Sequence, residues 1–575
     1  MLQSHQTMIN NNAYFVIIWM VLPVMAIAQI ENDTLGTQTV NIEKTFTPTV
    51  DEARKINSTP ESTDPNSVKK IETKYEVQSI PVASVFNPLK PNARQIKMIK
   101  SEKFFANQLM LMGGNYGTIL AEFSAAFDLG VNQKLTTLLD HHSSQGGISK
   151  NTIDDDFNRS NLGLTFSNIT RNNDWNIRAS AGFNQYQWYG VPQNLWNLEQ
   201  LNNISDPHQW LTYDFGSTLK PDSEWLGEMQ IEMNGLSDNF ENTEIIASAS
   251  LVSLLPFMDD TFESTFAAKY RSNETGLETE GTLDNLLFSW APKFKIHTGD
   301  LSLDIGLIGF YQITDDPNAS DFFVVPEAHL AYNLEDLVVS FDATGGIRQH
   351  SYRNFLDTNS FFSPNNDILS EEIPYQFSIG VEAQVAPDFS IDVDLSYENA
   401  NQKPMMVLNS ITDDLSQDYN FGNSFGLLFD SIKSTSVGAG FIYTGLEKTT
   451  IHIRGQYNNF STDVIEFFYN RSNLEASLFI HSSLSEHWSL DLFGKLYGLR
   501  KDRFLSLNTI LGLVDESINI SAFADLNLAT NYRLSDHWTA EVRVNNILNA
   551  DQPRWGYFPV QGIQGLAGLR YNFDW

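Results

Sequence analysis

The sequence predicts an all-β protein: a transmembrane antiparallel up-and-down β-barrel of about 22 strands behind a disordered N-terminal arm. Three observations predict it. From residue 103 to the end, apolar and polar residues alternate with period two. Short turn motifs recur along that stretch and alternate with longer, acidic connections. The chain then stops in mid-pattern. In the closing GLAGLRYNFDW, Leu569, Tyr571, Phe573 and Trp575 take every second position, with Arg570, Asn572 and Asp574 between them.

Composition agrees. Hydrophobic residues are 42% of the 575, too few for a helical membrane protein. They suffice for a membrane barrel, where only every second strand residue meets lipid. Cysteine is absent, which removes disulfides, thiol catalysis and Cys-ligated zinc. The net charge is −34, and residues 31–102 hold equal numbers of acids and bases, so the whole excess follows residue 102. Such a surface repels phosphate backbones, and nucleic acid is excluded as a partner.

Residues 1–28 read as a secretory signal peptide. AYFVIIWMVLPVMAIAQ is too short to span a bilayer and ends on the small-x-small Ala26-Ile27-Ala28, with Gln29 as the expected mature terminus. No Lys or Arg precedes the run, so either the start is Met8 or the α-amino group supplies the charge. The competing reading, a buried core helix, finds no helical partner later in the chain. Residues 29–102 read as an extended periplasmic arm, mostly disordered. KINSTPESTDPNSVKK is polar, proline-bearing and aperiodic. VNIEKTFTPTV and YEVQSIPVASVFNPLK are short β-prone pieces interrupted by proline, able to pair with a partner but not to form a core.

Residues 103–575 read as the outer-membrane barrel. FSIDVDLSYE puts Phe389, Ile391, Val393, Leu395 and Tyr397 on one face and Asp392, Asp394 and Glu398 on the other. WTAEVRVN separates Trp538, Ala540, Val542 and Val544 from Glu541 and Arg543 in the same way. No run of helical period follows the signal. LSEHW (Leu484–Trp488) and LSDHW (Leu534–Trp538) are near copies, each joining strand to strand. With similar signals near 129, 172, 221, 258, 298, 334, 386 and 446, about ten tight turns bracket pairs of strands. The intervening connections, such as SNETGLETEGTLDN and NSITDDLSQD, are long and acidic. Short turns on one rim and long loops on the other fit a membrane barrel. A sandwich of this size needs domain breaks, and a propeller needs a steady blade period; the sequence has neither.

The terminus follows from that fold. A barrel removes its edges only if the last strand pairs with the first. Leu569, Tyr571, Phe573 and Trp575 are then expected in the closing strand, facing lipid, with the last three in the periplasmic aromatic girdle. They are also the expected signal for the outer-membrane assembly machinery. The expected surroundings are outer-membrane lipid and lipopolysaccharide in a Gram-negative cell. The expected lumen-facing charges are Asp392, Asp394, Glu398, Arg454, Asp525, Glu541 and Arg543.

The last 34 residues, VRVNNILNADQPRWGYFPVQGIQGLAGLRYNFDW, resemble the end of TonB-dependent receptors. Asn546-Ile547-Leu548-Asn549, Pro559, Gly562, Gly568, Tyr571 and Phe573 carry the likeness. NYGTILAEFSAAFD and LDHHSSQGG are similar to the plugless barrels of this type in Bacteroidota. The resemblance implies an outer-membrane solute-uptake channel. Receptors of this class carry a folded plug domain, and residues 29–102 are too few and too polar for one. TQTVNI (Thr37–Ile42) is the candidate energy-coupling box.

Other clusters were weighed on their chemistry. HHSSQGG (His141–Gly147) joins His to Ser as membrane-barrel lipases do, but adjacent strand residues point to opposite faces, so His142 and Ser143 should not meet. It reads as a strand leaving the membrane into a glycine loop; a His141–His142 metal pair is the alternative. Asp154, Asp155 and Asp156, and Asp413, Asp414 and Asp418, are calcium candidates on long loops, against solvated loop charge. No phosphate loop, nucleotide fingerprint or zinc motif occurs, and no enzyme or cofactor is expected. Two functions remain: solute uptake gated by the arm or a partner, or a non-transporting scaffold that anchors an envelope complex. In the second, residues 29–100 bind a periplasmic protein by strand addition. An ion-paired, collapsed lumen favours the scaffold; an open, wet one favours the pore.

Overall fold

The computed structural model describes residues 105–149, 151–192, 195–257, 260–274, 284–314, 319, 322–411, 415–508, 512–550 and 553–575. The signal peptide, the arm, the candidate coupling box and Asp413 and Asp414 lie outside them. Alternation over ten or so residues gives a segment two unlike faces, and pairing edge to edge buries its backbone while keeping the faces apart. The first strands are β1 (Asn107–Gly114), β2 (Ile119–Gly130), β3 (Gln133–Ser144), β4 (Phe157–Ile169), β5 (Asn173–Tyr186), β6 (His208–Pro221), β7 (Leu226–Asp238) and β8 (Thr243–Phe257). Next come β9 (Asp260–Glu274), β10 (Asn285–Thr298), β11 (Leu301–Thr314), β12 (Phe322–Asn333), β13 (Leu337–Gln349), β14 (Ser370–Ala386), β15 (Phe389–Leu408) and β16 (Phe425–Leu446). The last are β17 (Thr449–Thr462), β18 (Leu474–Ser483), β19 (Trp488–Tyr497), β20 (Arg500–Asn508), β21 (Gly512–Ile520), β22 (Phe523–Arg533), β23 (Trp538–Asn545) and β24 (Gln564–Phe573).

Twenty-two of these form one antiparallel sheet in which chain neighbours pair, β19 pairs with β22, and β24 pairs with β1. The sheet is therefore a closed barrel with no free edge. One rim carries the short turns, each where the sequence places it. Ser485 and Ser535 close two of them identically. The Ser485 Oγ accepts from the N–H groups of His487 and Trp488 at 3.2 and 3.1 Å, and Ser535 Oγ accepts from His537 and Trp538 at 3.3 and 3.1 Å. The repeated LSxHW string is thus a serine-closed turn.

The outward face is apolar. Trp290, Ile305, Leu307, Val393, Leu395, Ile453 and Val542, drawn from five strands, are each 44–49% exposed. A belt of large apolar side chains around the wall is matched by lipid, not water. No helix among the described residues is long and apolar enough to cross a membrane.

At the seam Leu109 faces Tyr571 and Leu111 faces Leu569. The Ala106 N–H donates to Asp574 Oδ1 at 2.9 Å. Tyr571 packs against Trp538, with centroids 4.6 Å apart, and against Phe573 at 5.4 Å. The ladder stops at Phe573. Trp575 lies two residues beyond it and stacks on Phe127 at 5.2 Å, held by its ring rather than by strand pairing.

Two features depart from the sequence expectation. Helices occur: α1 (Leu198–Leu201) and α2 (Tyr352–Thr358). Both are too short to show a period of 3.6, and both rest on caps. Asn197 and Gln200 form a capping box on α1. Ser351 caps α2, and Glu244, from a distant strand, accepts from the backbone of Tyr352 at 2.7 Å and Arg353 at 3.2 Å. The second departure is the β20–β21 hairpin, a separate two-stranded sheet set into the connection between β19 and β22.

Candidate functional site

Asp392, Asp394 and Glu398, then Arg454, then Glu541 and Arg543 alternate with the belt residues Val393, Leu395, Ile453 and Val542, and so lie on the opposite face of the wall. Arg454 forks between Asp392 and Asp394, two strands away. Glu541 is buried between Arg543 at 2.5 Å and Arg570 at 2.6 Å. Glu398 pairs with Lys403 and lies 3.7 Å from Arg348. Asp525 accepts from Asn527 at 2.9 Å. Sequence reasoning missed their partners Arg570, Lys403 and Arg348. Lys293 pairs in the same way with Glu263 and Glu327, one and two strands away. The pairs run along the wall rather than across the lumen.

Contacts across the barrel occur at the long-loop rim. The 187–207 connection follows β5, and the 409–424 connection follows β15, ten positions away in a ring of 22. Those two loops therefore rise from nearly opposite walls, yet they touch. Trp196 Nε1 donates to the Phe421 carbonyl at 3.1 Å, and Asn423 Nδ2 donates to the Trp188 carbonyl at 2.9 Å. Asp418 Oδ2 accepts from the N–H groups of Ser205 and Asp206 at 3.3 and 2.7 Å. Around them Trp188, Val191, Leu201, Ile204, Phe361, Leu408, Tyr419, Phe421, Phe425 and Phe558 form one buried apolar core. Phe558, from the 546–563 connection, lies 4.1 Å from Phe361, 5.3 Å from Tyr189 and 5.5 Å from Phe425. Loops on several sides of the mouth thus pack into a single cap. Burial also pushes the hydroxyls of Tyr189 in the cap and Tyr352 of α2 well above the usual tyrosine range, keeping both protonated.

Below the cap, α2 and the inner wall from β4 to β9 enclose a cavity of about 820 Å³. Arg178 pairs there with Glu232 at 2.8 Å, and Arg353 of α2 grips Asp214 with both terminal nitrogens. Arg271 donates to the His350 carbonyl at 2.7 Å and the Ile368 carbonyl at 2.8 Å, tying the 350–369 connection to the wall.

The remaining sequence candidates have local duties. Asp155 accepts from the Ile148 N–H at 2.8 Å, and Asp156 from Gln185 and Gln187 at 3.3 and 3.0 Å. Asp418 bridges two loops as described. Burial raises the Asp155 and Asp418 carboxyls above the usual range. No group of three His, Asp or Glu residues able to hold a metal occurs among the described residues. His142 turns away from Ser143 and meets Phe157 edge-on at 5.0 Å. His141, two residues from Ser143 and so on its face, does reach it, with Nε2 3.1 Å from Ser143 Oγ and Nδ1 2.8 Å from Ser160 Oγ. Ser143 is flanked by paired strands on both sides.

Asp502, at the base of the β20–β21 hairpin, was not legible as a site. Its Oδ1 accepts from the N–H groups of Leu408 at 3.1 Å and Arg503 at 2.8 Å, but the carboxyl is fully buried, and burial pushes its pKa up to about 6. The folded value exceeds the unfolded one, so folding takes up a proton. The contribution is complete below the unfolded value near 4 and fades as pH rises through about 6. Amide exchange in residues 498–522 is expected to accelerate between about pH 5 and pH 7.5 beyond its intrinsic chemical rate. Asp502→Asn should flatten that excess. A wild-type hairpin equally protected at both ends of the range contradicts this account.

No family model matches the sequence, and no curated relative does either. Solved structures do match in fold. The chain is similar to the ferripyoverdine receptor FpvA of P. aeruginosa, with TM-score 0.60 and 12% identity over 82% of this chain and 72% of that one. It is similar to the FrpB iron transporter from Neisseria meningitidis, with TM-score 0.62 and 9% identity over 82% of both chains. It is similar to the copper transporter OprC, with TM-score 0.58 and 10% identity over 82% of this chain and 81% of that one. The barrel has the fold of the TonB-dependent receptors, the class to which FpvA, PfeA, FrpB and OprC belong.

Proposed function

We propose that the chain is an outer-membrane uptake barrel of a Gram-negative cell, with its turn rim in the periplasm and its loop rim outside. The observation that carries this reading is the loop cap. Loops from opposite walls share one apolar core over the mouth, so a solute entering from that side must displace them. The wall below supports passage: the ion pairs of Lys293, Arg454 and Arg570 run laterally, to strands one or two away. Closed interfaces that open on demand are drawn from segments packed by side chains rather than by ladder hydrogen bonds. The cap is of that kind. Residues 29–100 act in this reading as a second closure or as the attachment for a periplasmic partner.

Planar-bilayer conductance tests the reading. The mature chain, a form lacking residues 29–100, and a form with the cap core broken at Phe558 should differ. Conductance is expected to rise in at least one altered form, and the form identifies the closure. If all three fold and none conducts, uptake through this chain is ruled out and the scaffold function takes its place.

A further inference from the structure

The cavity under α2 holds six charged side chains, and they are not evenly matched. Arg178 is satisfied by Glu232, and Arg353 by Asp214. Lys269 and Asp357 remain. Neither makes a hydrogen bond or ion pair among the described residues, and they do not pair with each other. Their charged neighbours are already engaged. Near Lys269, Glu244 is spent on the backbone N–H groups of α2, and Arg271 holds two loop carbonyls. Near Asp357, Arg353 is committed to Asp214, and Arg159 makes no ion pair with it. Lys269 is half-buried on the wall, while Asp357 projects from the exposed face of α2.

A half-buried ammonium without a counter-ion sits in an unfavourable place unless something else supplies the charge. Here the same cavity presents an unpaired carboxylate as well. A ligand with one negative and one positive end satisfies both; an ion of either sign satisfies one and leaves the other. About 820 Å³ is ample for a ligand of several linked residues and loose for a lone amino acid. Asn234 and Asn354, also on the lining, offer amide donors and acceptors suited to a peptide backbone.

We propose that this cavity binds a short zwitterionic peptide, its carboxylate at Lys269 and its ammonium at Asp357. The proposal rests on the uptake reading for its place in the cell, but the binding stands or falls by itself. The test is calorimetric titration of the full mature chain in detergent with Ala-Ala-Ala, N-acetyl-Ala-Ala-Ala and Ala-Ala-Ala amide. The free peptide is expected to bind, and each blocked form to bind about tenfold more weakly, as losing one charge-assisted contact implies. Lys269→Met should abolish the preference for the free carboxylate and leave the preference for the free amine. Asp357→Asn should do the reverse. Both positions lack contacts that hold the fold, and the heat-modifiable folded band checks assembly. Absence of binding at millimolar peptide overturns the proposal, as does equal binding of all three peptides. Charge-dependent binding by a barrel that never conducts would leave the site standing and remove the uptake reading; conductance without binding would do the opposite.

Discussion

Gly568→Ala is expected to abolish the folded, heat-modifiable form of the protein. Gly568 lies in β24 opposite Met112 of β1, at the seam that closes the ring. A Cβ there would overlap the Leu111 carbonyl oxygen and sit 2.5 Å from Met112 Cγ and 2.7 Å from Met112 Cα. Two of these are backbone atoms, which cannot rotate aside. The strands must part, and parting exposes unpaired N–H and C=O groups in the membrane, each at a cost of several kcal/mol. Gly565→Ala, in the same strand, is the control, because nothing lies within 4 Å of its added Cβ. Semi-native electrophoresis of the two variants decides the matter. If both migrate as folded barrels, the seam is looser than its register implies.

Phe558→Ala is expected to leave the barrel folded and loosen the cap. The ring is buried among Phe361, Tyr189 and Phe425, and it lies so close to Gly190 that a Cβ there would overlap it. Emptying a buried phenylalanine site costs about 3–5 kcal/mol. That loss falls on loops alone, since the ladders below do not use the ring. Faster amide exchange should therefore reach the 187–207 connection, which is remote in sequence, and bilayer conductance should rise. Gly190→Leu should copy the effect by displacing the same ring. If exchange rises only within 546–563, the cap is a set of separate loops rather than one cooperative unit.

The barrel was legible in the sequence because its information is local. Alternation marks each strand, and turn residues such as Ser485 and Ser535 mark each reversal within five positions. The inward charges follow from the same alternation, so Asp392 and Arg454 could be placed on one face without their pairing being known. The cap was not legible, because its core draws Trp188, Phe361, Tyr419 and Phe558 from connections spread over some two-thirds of the chain. No period links them; a faint signal was the presence of large aromatics in otherwise polar loops. The helix α2 escaped notice because its N-terminal backbone is held by Glu244, more than 100 residues earlier. Lys269 and Asp357 escaped because an unpaired charge is defined by what surrounds it in space.

The seam also fixes how the barrel answers to force. The start of β1 and the end of β24 lie together at the turn rim, so the chain reaches the wall at the end of its first strand. A pull on that chain, directed away from the rim, would load the whole β1–β24 ladder in shear, every pair from Asn107–Phe573 to Gly114–Leu566 at once. A ladder sheared lengthwise yields only when its bonds fail together, whereas one peeled from its end yields bond by bond. The entry point is therefore suited to carry tension from the preceding chain into the wall without unzipping the barrel.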